Sequence, residues 1–216
     1  MQIKKQENRA FEEMRKAALS HLAGRGSAEL AARTGLDYDA RTGFFSLSSL
    51  GCAIRIHDTD WEISPALNAW HHLTLLHYLA TADGTPLSGE LIRFGDLPGG
   101  MVRGGGFDRD SERILGSEWG CRPLEQVSRV CRALGGRIVS ANADLCALFD
   151  VFPFYRITLK LWFADEEMPG SGRLLLDKSA PHFLSVEDAV AAGELLLQQL
   201  SAQHQAMQNT AEAADG

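Results

Sequence analysis

The segment between residues 66 and 82 most constrains the fold, because its apolar residues cover nearly every side of a helix. Its spacing predicts a helix opened by Pro65, whose restricted φ and missing N–H are tolerated at a helix start. A helix that is apolar all round must be covered by neighbours on several sides. We therefore predict that this helix is the central helix of the core. Its apolar residues are Leu67, Trp70, Leu73, Leu75, Leu76, Tyr78 and Leu79.

Strand patterns lie on both sides of this helix. Residues 43–64 read as a meander of three short strands, and residues 137–178 contain three or four more. A final amphipathic helix begins at Ser185, with Asp188 three residues later in a capping-box pattern. This order gives little support for a parallel sheet. We predict an α+β fold with antiparallel sheets built from two meanders, packed against the buried central helix and the C-terminal amphipathic helix.

The length and composition predict one compact unit. A chain of 216 residues, 45% of them hydrophobic, can bury a substantial core. We expect a single domain over residues 1–203, with N-terminal helices within 1–35 and two more helices at 107–117 and 123–134. Residues 204–216 are rich in Gln, Ala and Asp, and we expect a flexible tail there.

Charge and cysteine usage exclude several classes of protein. The net charge of −7 argues against nucleic-acid binding, which needs clustered Lys and Arg. No run reaches the ~18 apolar residues of a membrane span, and the N-terminus lacks the apolar region of a signal peptide. The spacing of Cys52, Cys121, Cys131 and Cys146 matches no common metal site. We expect a cytoplasmic protein with free thiols, no metal site, and neither a nucleic-acid nor a membrane partner.

A glycine-rich segment, residues 97–106, is the first candidate site. Consecutive glycine N–H groups can hold an anion, although the Lys-Ser/Thr of a P-loop and the GxGxxG fingerprint are both missing. Two interpretations stay open. The segment is a loop whose glycines adopt positive φ, or it contacts a ligand through Gly99, Gly100 and Arg103.

His77 is the second candidate, since it falls on the buried stripe of the central helix. Its separations from His71 and His72 do not match the i,i+4 spacing of a helical metal pair. One interpretation is a hydrogen-bonded core histidine. The other is a cofactor-binding or acid–base role, because a histidine in an apolar helix calls for a partner.

The acidic run Asp165, Glu166 and Glu167 is the third candidate, at the tip of a predicted hairpin. Three adjacent carboxylates in a loop are usually solvated. If they face inward, mutual repulsion raises one pKa and supplies a general acid or a ligand for a hard metal ion, with Asp177 as a partner. No nucleophile elbow, Ser/His/Asp order or kinase signature is visible.

Several short stretches, spread over about residues 10–200, together resemble a known family. The stretches are 43–56, 75–79, 94–100, 161–167, 175–177 and 184–188. The family is a domain of unknown function from anaerobic bacteria and archaea. Some of its members resemble fusions with an N-terminal four-cysteine iron–sulfur module, like that of corrinoid methyl-transfer proteins. This chain has no cysteine before Cys52, so the cluster itself is not expected here.

The resemblance implies a link to corrinoid or iron–sulfur metabolism, and it favours a pocket shared by His77, Gly99-Gly100 and the acidic tip. We therefore expect a small-molecule or cofactor-binding accessory domain of anaerobic metabolism, whose partner is a small molecule or another metabolic protein. No pattern identifies a particular cofactor. One alternative is a hydrolase or lyase that uses Glu166 or Glu167 with His77. Another is a protein-interaction module, with Phe152 and Phe154 as its candidate surface unless both are core residues.

Overall fold

The first sheet of the computed structural model is a four-stranded antiparallel meander. The structure describes the backbone of residues 2–215 and the side chains of residues 11–210. The strands follow one another in chain order, so each pairs with the next through a short turn. Pairing of Phe45 with Ile56 puts two fully buried residues on one face. The strands are β1 (Asp37–Asp39), β2 (Phe44–Ser49), β3 (Cys52–His57) and β4 (Ile63–Ser64).

The second sheet has five antiparallel strands in the order β5-β9-β8-β7-β6. The strands are β5 (Leu91–Ile92), β6 (Arg137–Val139), β7 (Leu145–Phe152), β8 (Tyr155–Trp162) and β9 (Ser171–Asp177). The sequence predicts that residues 150–153 separate two strands, and this is wrong. Strand β7 continues to Phe152 through an irregularity after Asp150, because Val151 and Phe152 are fully buried and extend the core face.

Within residues 2–215, six α-helices cover the sheets. They are α1 (Gln2–Leu22), α2 (Ser27–Thr34), α3 (Ala69–Thr81), α4 (Arg103–Ile114), α5 (Leu124–Ala133) and α6 (Val186–Asp215). A π-helical turn, Leu115–Trp119, continues α4. The two sheets, the buried α3 and the C-terminal α6 confirm the predicted α+β fold of antiparallel meanders.

Helix α3 is buried as predicted, but it begins later than the sequence indicates. Its cap is Asn68, whose side chain accepts a hydrogen bond from the backbone N–H of His71 at 2.8 Å. Asparagine is a strong N-cap because its side chain satisfies a free N–H of the first turn, so the helix begins there and not at Pro65. Trp70 lies 59% exposed on the first turn. The helix packs against both α1 and α6.

Helix α6 begins at the predicted capping residue and continues through Asp215. His204 is only 4% exposed, so the helix still packs against the protein at this point. One hydrophobic cluster includes residues of both sheets and of α1, α3 and α6. The single domain over residues 1–203 and the flexible end at 204–216 stay predictions.

Within residues 2–215, no helix combines the length and the apolar character needed to cross a membrane. The four cysteines are free; Cys121 is exposed, Cys52 is half-buried, and Cys131 and Cys146 are buried.

Candidate functional site

His77 opens onto a cleft between α1, α3 and the first turn of α6. The cleft has a volume of about 270 Å³. His77 and Thr81 lie four residues apart on α3, which puts them on one face of that helix. On α1, the wall consists of two alanines and the exposed His21. The small alanine side chains let α1 pack against α3 and leave the space of the cleft between them. The lining residues are Ala17, Ala18, His21, His77, Ala80, Thr81, Ser185 and Asp188.

A chain of two hydrogen bonds orients the His77 ring. Asp188 Oδ1 lies 2.6 Å from His77 Nδ1, and Ser185 Oγ donates to Asp188 Oδ2 at 2.8 Å. The Asp188 backbone N–H in turn donates to Ser185 Oγ at 3.2 Å. The capping box that starts α6 therefore also holds the carboxylate that contacts His77. Asp188 combines a helix-capping role with a role in the cleft.

This pairing determines which ring nitrogen remains available. A carboxylate that accepts at Nδ1 selects the tautomer in which Nδ1 carries the proton, and in that tautomer Nε2 is an acceptor. No described side chain hydrogen-bonds to Nε2. The side chains of His77 and Asp188 are 25% and 17% exposed, so the pair is partly desolvated and still reachable. A histidine held in this way can bind a donor, ligate a metal centre or take up a proton.

Two other histidines of α3 have structural partners. His71 is buried, and its Nε2 lies 2.8 Å from Ser49 Oγ. Burial, with a smaller contribution from the charge of His72, lowers the pKa of His71 to about 4. His72 lies 3.4 Å from Arg15 Nε. The hydrogen-bonded core histidine is therefore His71, whereas His77 lines a cleft.

The glycine-rich segment forms the start of α4 and the turn before it. The helix begins at Arg103, four residues earlier than predicted, and ends at Ile114. The backbone N–H of Gly100 donates to the Leu97 carbonyl at 2.7 Å, and that of Gly105 donates to the Gly100 carbonyl at 2.9 Å. These two N–H groups are thus used within the chain.

Close packing explains a glycine in the first turn of α4. A Cβ on Gly104 would overlap the Phe94 carbonyl group, so the helix can approach that turn only with glycine there. Of the glycines in residues 97–106, only Gly99 adopts a positive φ, of 74°, so the prediction that several of them do is wrong, because Gly104, Gly105 and Gly106 are helical. Arg103 forms an ion pair with Glu194 of α6 at 3.2 Å. These contacts favour the structural interpretation of the segment over the ligand interpretation.

The acidic tip is exposed at all three residues. Asp165 accepts hydrogen bonds from the backbone N–H groups of Met168, at 2.7 Å, and Glu167, at 2.9 Å. These hydrogen bonds lower the pKa of Asp165, and the bond from Met168 has the larger effect. A general acid needs the opposite shift, so Asp165 acts as a turn-forming residue.

Asp177 does not join the acidic tip. It is 4% exposed, and its carboxylate accepts five hydrogen bonds of 2.7–2.9 Å from Ser88, Gly89 and Ser179. Burial alone would raise its pKa, but the bonds from Ser179 and Ser88 outweigh burial and lower the pKa to about 2. Asp177 holds the loop before β5 onto the end of β9.

The three candidate regions line three separate cavities. Arg103 lines a cavity of about 410 Å³ beside α4 and α6, and Asp165 lines one of about 630 Å³ at the end of the β8–β9 hairpin. Neither set of lining residues shares a member with the His77 cleft. Asp188 and Glu194 lie six residues apart on α6, about 9 Å along its axis and on different sides. The structure therefore does not bring His77, the glycine segment and the acidic tip into one pocket.

Sequence reasoning missed the partners of His77. Asp188 was recognisable only as a capping residue, and it lies 111 positions from His77. The histidine on the buried stripe was a signal that a partner exists, but nothing local identified which residue it is. His21 lies on the amphipathic α1, and no pattern connected it with His77.

The candidate interaction surface, Phe152 and Phe154, lies in or against the core. Phe152 is fully buried, and Phe154 is half-buried against the core. Both are therefore core residues, as one of the two interpretations held. Across the described side chains, no group of three or more His, Cys, Asp or Glu residues is arranged to hold a metal ion.

Comparisons with known proteins identify a family. Neither the curated proteins nor the solved structures contain a match to this chain. One family model matches residues 27–199, which is more than half of the chain and includes His77, the glycine segment, the acidic tip and Asp188. The protein therefore belongs to the family described as Domain of unknown function (DUF3786).

Proposed function

We propose that this protein is a small-molecule-binding accessory domain of anaerobic metabolism in the cytoplasm, and that the His77 cleft is its binding site. The observation that carries the proposal is the His77–Asp188 bond of 2.6 Å. It leaves Nε2 as an oriented acceptor in a partly buried cleft. Metal-ligating and proton-transferring histidines are commonly held by a carboxylate on the other ring nitrogen.

The size of the cleft limits the ligand. At about 30 Å³ per water molecule, 270 Å³ corresponds to roughly nine waters, and drug-sized ligands usually occupy 300–1,000 Å³. The cleft therefore suits a molecule of about ten non-hydrogen atoms that offers a hydrogen-bond donor to Nε2. A tetrapyrrole is too large to be enclosed and would contact His77 only at the surface. Within the wider class of small molecules and cofactors, the geometry favours a small metabolite.

The test is to identify what the protein retains. The full chain is purified anaerobically, denatured, and its released small molecules are identified and quantified by mass spectrometry. We expect a near-stoichiometric small metabolite in the wild type and in His72→Gln, a matched change on the same helix but outside the cleft. In His77→Gln the metabolite is lost, because glutamine does not reproduce the Asp188-oriented acceptor. Equal retention by both variants contradicts the proposal.

A UV–visible spectrum with elemental analysis tests the link to corrinoid or iron–sulfur metabolism. That link rests on the family resemblance, and we propose that this chain acts beside such cofactors without enclosing one. We expect a colourless, metal-free protein. A stoichiometric corrinoid or haem band would contradict the size argument, and a band that disappears in His77→Gln would establish axial ligation instead.

A second candidate is a hydrolase or lyase with His77 as general base. The carboxylate-oriented imidazole favours it, because this pairing stabilises a histidine that takes up a proton. Ser185 bonds Asp188 and not His77, so a bound water would have to be the nucleophile. Asp188→Asn separates the two candidates: it would abolish turnover, whereas ligand binding would fall only moderately. Glu166→Gln together with Glu167→Gln is expected to leave both unchanged, because these residues lie outside the cleft.

A further inference from the structure

The hydroxyl groups that line the His77 cleft have already used their protons. Thr81 Oγ1 donates to the His77 carbonyl at 2.7 Å and also contacts the Phe183 carbonyl. Ser185 Oγ donates to Asp188 Oδ2 at 2.8 Å. A hydroxyl group has one proton and two acceptor lone pairs. Both oxygens can therefore meet a ligand only as hydrogen-bond acceptors.

The other polar groups of the cleft are also mainly acceptors. His77 Nδ1 is held by Asp188 Oδ1 at 2.6 Å, which leaves Nε2 of the ring as an acceptor. The Asp188 carboxylate has no donor at all. The exposed His21 adds one donor and one acceptor when its ring is neutral. A ligand that satisfies this cleft therefore brings most of the donors itself.

The charge in the wall of the cleft is negative. Among the described side chains, the lining includes one carboxylate, that of Asp188, and neither a lysine nor an arginine. The Asp188 side chain is 17% exposed, so water screens its charge only in part. A cation in the cleft is attracted by this charge, whereas an anion is repelled by it.

Two helices end at the cleft and add to its negative potential. The lining residues of α3 lie within 77–81, at the C-terminal end of that helix, and those of α1 lie within 17–21, also at the C-terminal end. The last carbonyl groups of a helix have no N–H partner within it and carry partial negative charge, which favours a nearby cation. Helix α6 presents its positive N-terminal end, but Asp188 in its first turn already offsets that charge.

We propose that the ligand of the His77 cleft is a small primary amine, bound as its ammonium ion. This inference rests on the proposed function, because it names the ligand class of the same cleft. An ammonium group has three N–H donors and no acceptor, and one of these donors bonds His77 Nε2. Asp188 and the C-terminal ends of α1 and α3 compensate its charge. The alanines Ala17, Ala18 and Ala80 contact its compact apolar part.

Isothermal titration calorimetry at pH 7 tests the inference with three probes that share one ring and differ in the charge of the head group. The probes are cyclohexylamine, cyclohexanol and cyclohexanecarboxylate. The full chain is first dialysed until mass spectrometry detects no retained metabolite. We expect cyclohexylamine to bind, and cyclohexanol to bind at least about tenfold more weakly, because a charge-assisted hydrogen bond contributes that order of affinity. Cyclohexanecarboxylate should bind more weakly than cyclohexanol, because Asp188 repels it.

A matched pair of variants separates the charge in the cleft from charge nearby. Asp188→Asn keeps an acceptor for His77 Nδ1 and removes the charge, so it should weaken cyclohexylamine binding about fivefold and leave cyclohexanol binding unchanged. Glu187→Gln removes an exposed carboxylate from the same turn of α6, outside the cleft lining, and should leave both unchanged. Circular dichroism melts establish that each variant is folded.

The inference is overturned if cyclohexylamine does not bind, or if cyclohexanol or cyclohexanecarboxylate binds as tightly as the amine. It is also overturned if cyclohexylamine binds folded Asp188→Asn or His77→Gln as it binds the wild type. A metabolite that the wild type retains and His77→Gln loses, together with no binding of cyclohexylamine, would overturn the amine class alone. Failure of the proposed function would instead appear as retention that does not depend on His77.

Discussion

Asp177 makes the stability of this protein depend on pH in a defined window. Its buried carboxylate accepts five hydrogen bonds, and its pKa falls from 3.8 to about 2. Each pKa unit corresponds to about 1.36 kcal/mol, so ionised Asp177 contributes roughly 2 kcal/mol to the free energy of unfolding. Because the folded pKa is the lower one, this contribution is complete above pH about 4 and is lost as the pH falls through about 2.

The perturbation is Asp177→Asn. It replaces one acceptor oxygen of the carboxylate by an NH₂ group, whose two N–H donors then face groups that are themselves donors. We expect the free energy of unfolding at pH 7 to fall by roughly 2 kcal/mol. The wild type and the variant converge as the pH approaches about 2, because the protonated wild-type carboxyl then resembles the amide. Urea unfolding followed by tryptophan fluorescence at pH 7, 4 and 2.5 measures the difference.

The matched control is Asp37→Asn, an exposed carboxylate on β1, which should change stability by less than about 0.5 kcal/mol. Amide hydrogen exchange adds a local readout, since Asp177→Asn should expose the N–H groups of Ser88 and Gly89 to faster exchange. A difference between wild type and Asp177→Asn that is equally large at pH 7 and pH 2.5 would refute the reasoning. So would a difference below about 0.5 kcal/mol at pH 7.

Three further experiments test the buried core, the glycine segment and the thiols. Burial lowers the pKa of His71 to about 4, so the free energy of unfolding of the wild type should fall by on the order of 2–3 kcal/mol between pH 6.5 and pH 4. Urea titrations of His71→Gln should show a smaller fall over the same range. Identical pH profiles of the two proteins would contradict this assignment. Gly104→Ala should lower the melting temperature, because the added Cβ would overlap a backbone carbonyl. Gly106→Ala should leave the melting temperature unchanged or raise it, because a Cβ there meets no neighbouring part of the protein within 4 Å. Equal destabilisation by both changes would count against the packing argument. The exposed Cys121 should react with iodoacetamide at neutral pH. Burial raises the pKa of Cys131 to about 12, so this thiol should react more slowly. Peptide mass spectrometry that shows faster labelling of Cys131 than of Cys121 would be inconsistent with the structure.

Much of the fold followed from local patterns. The apolar segment around α3 predicted a central helix, and Ser185 with Asp188 predicted the start of α6. These features depend on residues a few positions apart, so periodicity and capping chemistry are enough to recognise them. Boundaries that depend on packing were missed. Helix α4 begins in its glycines because Gly104 packs on the turn at Phe94.

The candidate sites were decided by tertiary structure. The sequence singled out His77, but its partner Asp188 lies 111 positions away and is brought close by the packing of α3 against α6. Gly100 and Asp165 were singled out by composition, yet their hydrogen bonds are made within their own turns. Composition and spacing identify which chemical groups a chain contains. Only the folded packing determines which of these groups meet, which lose water, and which keep a free donor or acceptor.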